Sequence, residues 1–245
     1  MQDLLSDLVA EQQALDQYLQ TLREKDWWRA TPAEGWDVRD SVSHLAHIEE
    51  CAFDVLEGDG SRVAELKDHP SFDAFTQAGV ERGRKILPNR VLEWWREARA
   101  RTVEALSRAT GRERVLWVSG EISSRTLATL RLMETWAHGL DVHHATGTES
   151  EDSERLRHVA WLGWKSLPFA FSLAGEDYEQ PVRVEVFGPH YRKWVFGPED
   201  TDQVIRGPAA EWCRVVVRRL PISQAAHLTA HGEVAQAALR IARVF

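Results

Sequence analysis

The segment Arg131-Leu132-Met133-Glu134-Thr135-Trp136-Ala137-His138-Gly139-Leu140-Asp141-Val142-His143-His144 reads as a core helix, yet a carboxylate and an imidazole interrupt its apolar stripe. At 3.6 residues per turn, positions 134 and 138 lie only about 40° apart around the axis. Leu127, Leu130 and Ala145 share that sector. A charged carboxylate there is expensive unless it is paired or bound to a metal. Whatever fold the chain adopts must bring a partner to Glu134 and His138.

The neighbouring segments supply the walls. Leu4, Leu5, Leu8, Val9, Leu15, Leu19 and Leu22 keep helical spacing and predict an amphipathic helix over 3–25. A loop with three tryptophans, Trp27, Trp28 and Trp36, follows. Asp37 is the expected N-cap of a second helix over 38–56, closed by Gly58-Asp59-Gly60. A short polar helix is expected over 71–82, with Gly79 and Gly83 reading as loop residues ahead of Pro88. A long helix over 88–110 ends at Gly111, and Ser123 or Ser124 caps the helix that carries Glu134 and His138. Between them, Val115-Leu116-Trp117-Val118 reads as extended or loop.

The pattern changes after the polar run Gly147-Thr148-Glu149-Ser150-Glu151-Asp152, so the expected domains are 1–148 and 149–245. A helix is predicted over 153–173, then strands over 182–187, 191–196 and 203–206. Helices over 208–220 and 233–244 complete the reading. The fold class is therefore an all-helical N-terminal domain followed by a smaller α+β domain.

Composition narrows the function. A net charge of −8 opposes nucleic acid as the main partner, since phosphate binding needs a clustered basic surface. No apolar run approaches the roughly 20 residues needed to span a bilayer. The N-terminus lacks the basic start and apolar core of a signal peptide, so a cytoplasmic location is expected. Cys51 and Cys213 form no CxxC pattern and read as free thiols. No Ser-His-Asp order, phosphate-cradling glycine loop or dinucleotide fingerprint is present.

Within Ser41-Val42-Ser43-His44-Leu45-Ala46-His47, helix geometry lets His44 point between helices and turns His47 toward water. His44, Glu134 and His138 then supply two nitrogens and one oxygen from facing helices. Three protein ligands with a fourth position open describe a catalytic zinc site, although nickel and iron(II) accept the same set. Asp141, one turn beyond His138, is placed to orient an imidazole. His143 and His144 read as solvated residues at the helix end. Cys51, two turns after His44, reads as a buried thiol, with a fourth metal ligand as the alternative. The pairs Trp27-Trp28 and Trp94-Trp95 each place at least one ring in the core, because adjacent helix positions do not both face fully inward.

The combination Gly35-Trp36-Asp37-Val38-Arg39-Asp40, His44-Leu45 and Glu134-x-x-x-His138-x-x-Asp141 resembles the DinB-like metal-binding superfamily, and within it the mycothiol-dependent maleylpyruvate isomerase type. The resemblance spans about the first 145 residues. More loosely, Ile205-Arg206-Gly207-Pro208-Ala209-Ala210-Glu211-Trp212 is similar to that family's C-terminal domain. The resemblance implies an antiparallel four-helix bundle with a divalent metal on His44, Glu134 and His138. It also implies a C-terminal arginine at the isomerase site, for which Arg218 and Arg219 both match. A small-molecule substrate and a low-molecular-weight thiol, mycothiol, follow as the expected partners. The interdomain cleft is the expected place for the substrate. The function read from the sequence is thus a metal- and thiol-dependent isomerase or transferase acting on a small electrophile. A metal-dependent hydrolase and a non-catalytic metal- or ligand-binding protein are the alternatives.

Overall fold

Leu4, Leu8, Leu15 and Leu19 line the buried side of helix α1 (Gln2–Thr21), the first element of a computed structural model that describes residues 1–244. Helix α2 (Val38–Glu57) begins at a reciprocal cap. The Asp37 side chain accepts from the Asp40 backbone N–H at 2.8 Å, and the Asp40 side chain accepts from the Asp37 N–H at 3.2 Å. A short helix, α3 (Ser61–Ala64), and α4 (Phe72–Gly83) follow, with the Ser71 hydroxyl capping α4. Pro88 opens α5 (Pro88–Arg108) in the one turn where its missing N–H costs nothing.

The apolar piece at 115–118 is half of a hairpin, β1 (Arg114–Trp117) paired antiparallel with β2 (Gly120–Ser123). Ser123 then caps α6 (Ser124–Thr146) by accepting from the Thr126 N–H, and Gly147 ends it in a left-handed conformation. Helices α1, α2, α5 and α6 pack on one another, α2 lying against both α5 and α6, and α1 against α6 and α5. One core cluster joins Leu15, Leu19, Trp27, Val38, Val42, Leu45, Val91, Trp94, Trp95 and Val142. Each such fully buried side chain contributes about 1.5–3 kcal/mol of transfer free energy.

Three expectations for this region need correction. Gly79 and Gly83 belong to α4, not to a loop, and they form the surface on which α4 meets α2. A Cβ built on Gly79 would sit 2.5 Å from the Cβ of His47, and one on Gly83 would sit 1.8 Å from the Ser43 hydroxyl oxygen. His47 accordingly does not face open water; Phe75 of α4 packs on it with ring centroids 5.1 Å apart. Trp94 and Trp95 are both buried, at 8% and 0% exposure, because α5 is covered by α2 and α1 together and its inward arc is wide enough for adjacent rings. Trp27 and Trp28 divide as expected, the first buried and the second 47% exposed.

Contacts divide the chain into two compact units, Met1–Ser150 and the residues from Glu151 onward. The second unit opens with α7 (Leu156–Lys165) and α8 (Leu167–Ala174), not the single helix expected over 153–173. Pro168 explains the break, since its ring clashes with a preceding carbonyl and its nitrogen donates no hydrogen bond. Strands β3 (Arg183–Phe187), β4 (Lys193–Phe196) and β5 (Val204–Pro208) lie near their expected positions. Helix α9 (Ala209–Val216) is shorter than expected, while β6 (Thr229–His231) was too brief to read from spacing. Helix α10 (Glu233–Ile241) is the last element.

The sheet order is β4-β3-β5-β6, with β3 and β5 parallel and the outer pairs antiparallel. The α9 helix stops because Arg218 takes a left-handed backbone (φ 59°), its N–H bonding back to the Val215 carbonyl. Trp212 is fully buried and its indole N–H donates to the Ala160 carbonyl of α7 at 3.1 Å. The chain thus joins a helical N-terminal region to a unit built around a small mixed sheet. Among the described residues no helix is long and apolar enough to cross a membrane.

Candidate metal centre

His44 leaves α2 two turns after the Asp37 cap, and Glu134 and His138 leave α6 one turn apart. The packing of α2 against α6 brings all three side chains together. One ligand atom from each lies within 4.8 Å of the others. Glu134 Oε2 is 3.3 Å from His44 Nε2 and 3.4 Å from His138 Nε2, so both imidazoles aim the same nitrogen at one carboxylate. Among the described residues this is the one cluster of three or more histidine, cysteine or acidic side chains with metal-ligand spacing.

The surroundings set the charge of each group. Burial pushes the His44 imidazole below its ordinary pKa, which keeps it neutral. Burial works the same way on His138, but the Asp141 and Glu134 carboxylates outweigh it and raise that imidazole. Burial works to raise the Glu134 carboxyl, yet the two histidines hold it well below the usual carboxylate range. Asp141 Oδ2 stands 3.1 Å from His138 Nδ1 on the next turn of α6. The carboxylate lies beside Nδ1 without hydrogen-bond alignment, and the other ring nitrogen, Nε2, faces Glu134. The Glu134 side chain remains 18% exposed while His44 and His138 are 7% and 9%, so the cluster opens to solvent on the carboxylate side.

The donor set fits a divalent ion. Two imidazole nitrogens and a carboxylate oxygen suit zinc, and the opening leaves a fourth position for water or substrate. The buried Nδ1 of His44 has no hydrogen-bond partner among the described residues, so Nε2, on Glu134, makes the one side-chain hydrogen bond of that ring. Cys51 does not join the cluster. Its sulfur lies 3.9 Å from His47 Nε2, and burial pushes the thiol up to about 12, which suits a core residue and not a ligand.

His143 is not the solvated end residue expected. It stacks on Tyr18 with centroids 3.8 Å apart and shares a 2.8 Å hydrogen bond with the Thr148 hydroxyl, whereas His144 is exposed. In the second unit, the Arg218 side chain is exposed and Arg219 Nη1 donates to the Val217 carbonyl at 2.9 Å.

Sequence reasoning missed two features around the cluster. Trp36 sits on both imidazoles, with ring centroids 5.2 Å from His44 and 5.9 Å from His138. Its signals in the sequence are its place just before the α2 cap and its membership of the Gly35–Asp40 motif, neither of which assigns it to the cluster. Glu49, one turn and a half after His44, is buried and accepts a 3.1 Å hydrogen bond from Gln12 of α1. Burial raises its carboxyl, and the charge of Arg131, itself buried, opposes that rise most strongly. Both Gln12 and Glu49 occupy inward positions of their helices, which apolar spacing alone marks as anomalous.

Comparison with known proteins gives the family and the fold. An uncharacterized protein of Mycobacterium tuberculosis, present in two strains, is 33% identical over 244 residues, covering 98% of this chain and 94% of that protein. Crystal structures of the mycothiol-dependent maleylpyruvate isomerase and of a mutant of it resemble the chain with TM-scores of 0.63 and 0.62. Those matches cover 94% of this chain and 92% of theirs at 15% identity, a likeness of fold. Residues 8–143, more than half of the chain, match the mycothiol maleylpyruvate isomerase N-terminal domain, and the chain belongs to that family.

Proposed function

We propose that this chain is a divalent-metal-dependent enzyme that uses a low-molecular-weight thiol, mycothiol, to isomerise or derivatise a small electrophile. The observation that carries the reading is the convergence of His44, Glu134 and His138 within 4.8 Å in a chain of this family. The scaffold is then an antiparallel four-helix bundle of α1, α2, α5 and α6, with the ligands on α2 and α6. An ion held there supplies Lewis acidity that lowers the pKa of a bound thiol, so that thiolate forms at neutral pH.

The chain's own residues do the rest. Glu134 offers an ionised oxygen, and the neutral His44 frees Nε2 for an ion when its proton moves to the unpartnered Nδ1. Asp141 stands beside His138 Nδ1 and leaves the other ring nitrogen turned to the site. Trp36 makes one wall apolar and excludes water from the imidazoles. Arg218 or Arg219 supplies the guanidinium that pairs with a substrate carboxylate in bidentate fashion. The thiolate adds to an activated double bond to form a C–S bond. The electron pair passes to the conjugated carbonyl as an enolate. Rotation about the new C–C single bond and collapse of the enolate, which re-forms the double bond and expels the thiolate, complete an isomerisation. Protonation of the enolate by water with the C–S bond kept gives the thiol adduct instead.

Metal analysis of the purified protein, followed by thiol titration of a cobalt-substituted sample, tests this. One divalent ion per chain, lost in His44→Ala, and a change in the cobalt absorption on adding mycothiol are the expected results. A wild-type chain that takes up neither zinc, nickel, iron nor cobalt refutes the proposal. Cobalt bound but indifferent to thiol removes the thiol step and leaves water activation, a hydrolase, as the surviving reading.

A further inference from the structure

Trp36 and α4 form a second device built against the metal cluster, and it rests on the metal reading above. The indole lies across both imidazoles, tilted 46° to His44 and 25° to His138, while those two rings are 4.7 Å apart. One half-buried side chain therefore lies against both imidazole rings, while Glu134 keeps the more exposed side chain of the three donors.

Its position is fixed from α4 by a closed run of polar contacts. The Trp36 indole N–H donates to Gln77 Oε1 at 3.2 Å. The Gln77 amide donates to Glu81 Oε1 at 2.8 Å, and Arg84 Nη1 donates to that same oxygen at 2.9 Å. Arg84 Nη2 returns to the loop, donating to the Gly35 carbonyl at 2.8 Å and to Asp40 Oδ2 at 2.7 Å. Gln77, Glu81 and Arg84 recur at helical spacing, so one face of α4 and the residue that follows it hold residues 35 and 36 at two points. Gly35, with φ 75°, provides the left-handed turn that presents the indole.

We infer that Trp36 is a shield over the two histidine donors, latched by Gln77, Glu81 and Arg84, and that it governs how fast the ion leaves and how large a molecule reaches it. The physical reason is geometric. An imidazole must swing away from an ion before it lets go, and a ring stacked on it blocks that swing. The indole also excludes water from the donor atoms, and electrostatic attraction strengthens where water is absent. Trp36 acts on the ion through His44 and His138, and the latch residues act through Trp36, so all four are positioning residues.

The experiment measures cobalt loss from the loaded full-length chain to an excess of chelator, followed by the cobalt absorption band. Removing the indole in Trp36→Ala is expected to accelerate loss about tenfold while one ion still binds per chain, from two aromatic contacts each worth a few-fold. Gln77→Leu keeps the ring but cuts the latch and is expected to accelerate loss about threefold, and Trp36→Phe is expected to restore most of the protection lost in Trp36→Ala. Wild-type release rates in Trp36→Ala overturn the shield while the metal reading stands. If Trp36→Ala does not fold, Gln77→Leu decides, and a wild-type rate there overturns the inference. A wild-type chain that binds no cobalt removes the metal reading and the shield together.

Discussion

Two glycine-to-alanine exchanges, both inside helices of the first unit, should differ in their effect on stability. Alanine in place of glycine in a helix interior normally gains about 1 kcal/mol through lower backbone entropy in the unfolded chain. At Gly139 of α6 a new Cβ meets only Leu15 Cδ1 at 3.8 Å, an ordinary van der Waals contact, so the full gain is expected. At Gly79 of α4 the Cβ would lie 2.5 Å from both Cβ and Cγ of His47. Carbon atoms rest at about 3.5–4.0 Å, and rotating His47 about its first torsion does not move its own Cβ. The backbones of α4 and α2 must therefore separate by about 1 Å, an overpacking cost of about 1–3 kcal/mol that offsets or exceeds the propensity gain. For a chain of this size each kcal/mol moves the melting temperature by roughly 2–4 °C. Calorimetry should show Gly139→Ala melting a few degrees higher and Gly79→Ala unchanged or several degrees lower. Hydrogen exchange should quicken across α4 only in Gly79→Ala, which covers the case in which α4 detaches locally and the main transition does not move. Two variants that both gain stability, with slow α4 exchange in each, would refute the close α4–α2 approach.

Three further outcomes follow from the same structure. Asp141→Asn should weaken cobalt or zinc binding about 10–100-fold in a competition assay while the far-UV spectrum stays unchanged, and unaltered affinity would remove Asp141 from the site. His47 is lowered to about 4, mainly by burial and then by the neighbouring His44, so the unfolded chain binds more protons between pH 4 and the ordinary value of 6.5. Its contribution is present above pH 6.5 and is lost as pH falls toward 4; a wild-type melting temperature no more acid-sensitive in that window than His47→Leu would refute the burial of this ring. Cys51, pushed up to about 12, and the equally buried Cys213, also raised, should resist a thiol reagent at pH 8 in the native state and react at the rate of unfolding. Immediate reaction of either thiol would contradict its placement in the core.

What the sequence made legible was decided by whether a signal was local. Helix starts at Asp37, Pro88 and Ser123 were readable because each cap acts within one turn. The cluster itself was half readable. Glu134 and His138 stand out because they break an apolar stripe on one helix, whereas His44 joins them only through the packing of α2 on α6. Features created by tertiary contact misled or stayed hidden. Glycine is a poor helix former, so Gly79 and Gly83 read as a loop, yet close approach to α2 requires a residue without a side chain there. His47 lies on the polar side of its helix, and nothing in that helix foretells that α4 covers it. Adjacent tryptophans at 94 and 95 broke a one-face rule that holds for a helix with one neighbour and fails for α5, which has two.

The same distinction separates the ligand set from its control. Glu134 sits at a buried position because two imidazoles offset the cost of its charge, and that balance is visible as a carboxyl held well below its ordinary range against the pull of burial. An ion would take over the role the imidazoles now play for the carboxylate, drawing all three donors to itself. The loop that carries Trp36 has no such energetic signature in the sequence. Its placement depends on Gln77, Glu81 and Arg84, a partly exposed polar row of the kind that solvated helices carry. Chemistry that must offset a burial cost leaves a mark in the pattern of residues, while devices that only hold a side chain in place do so through contacts between segments 41 and 49 residues apart. For this chain the donors therefore belong to the first class, and access to them belongs to the second.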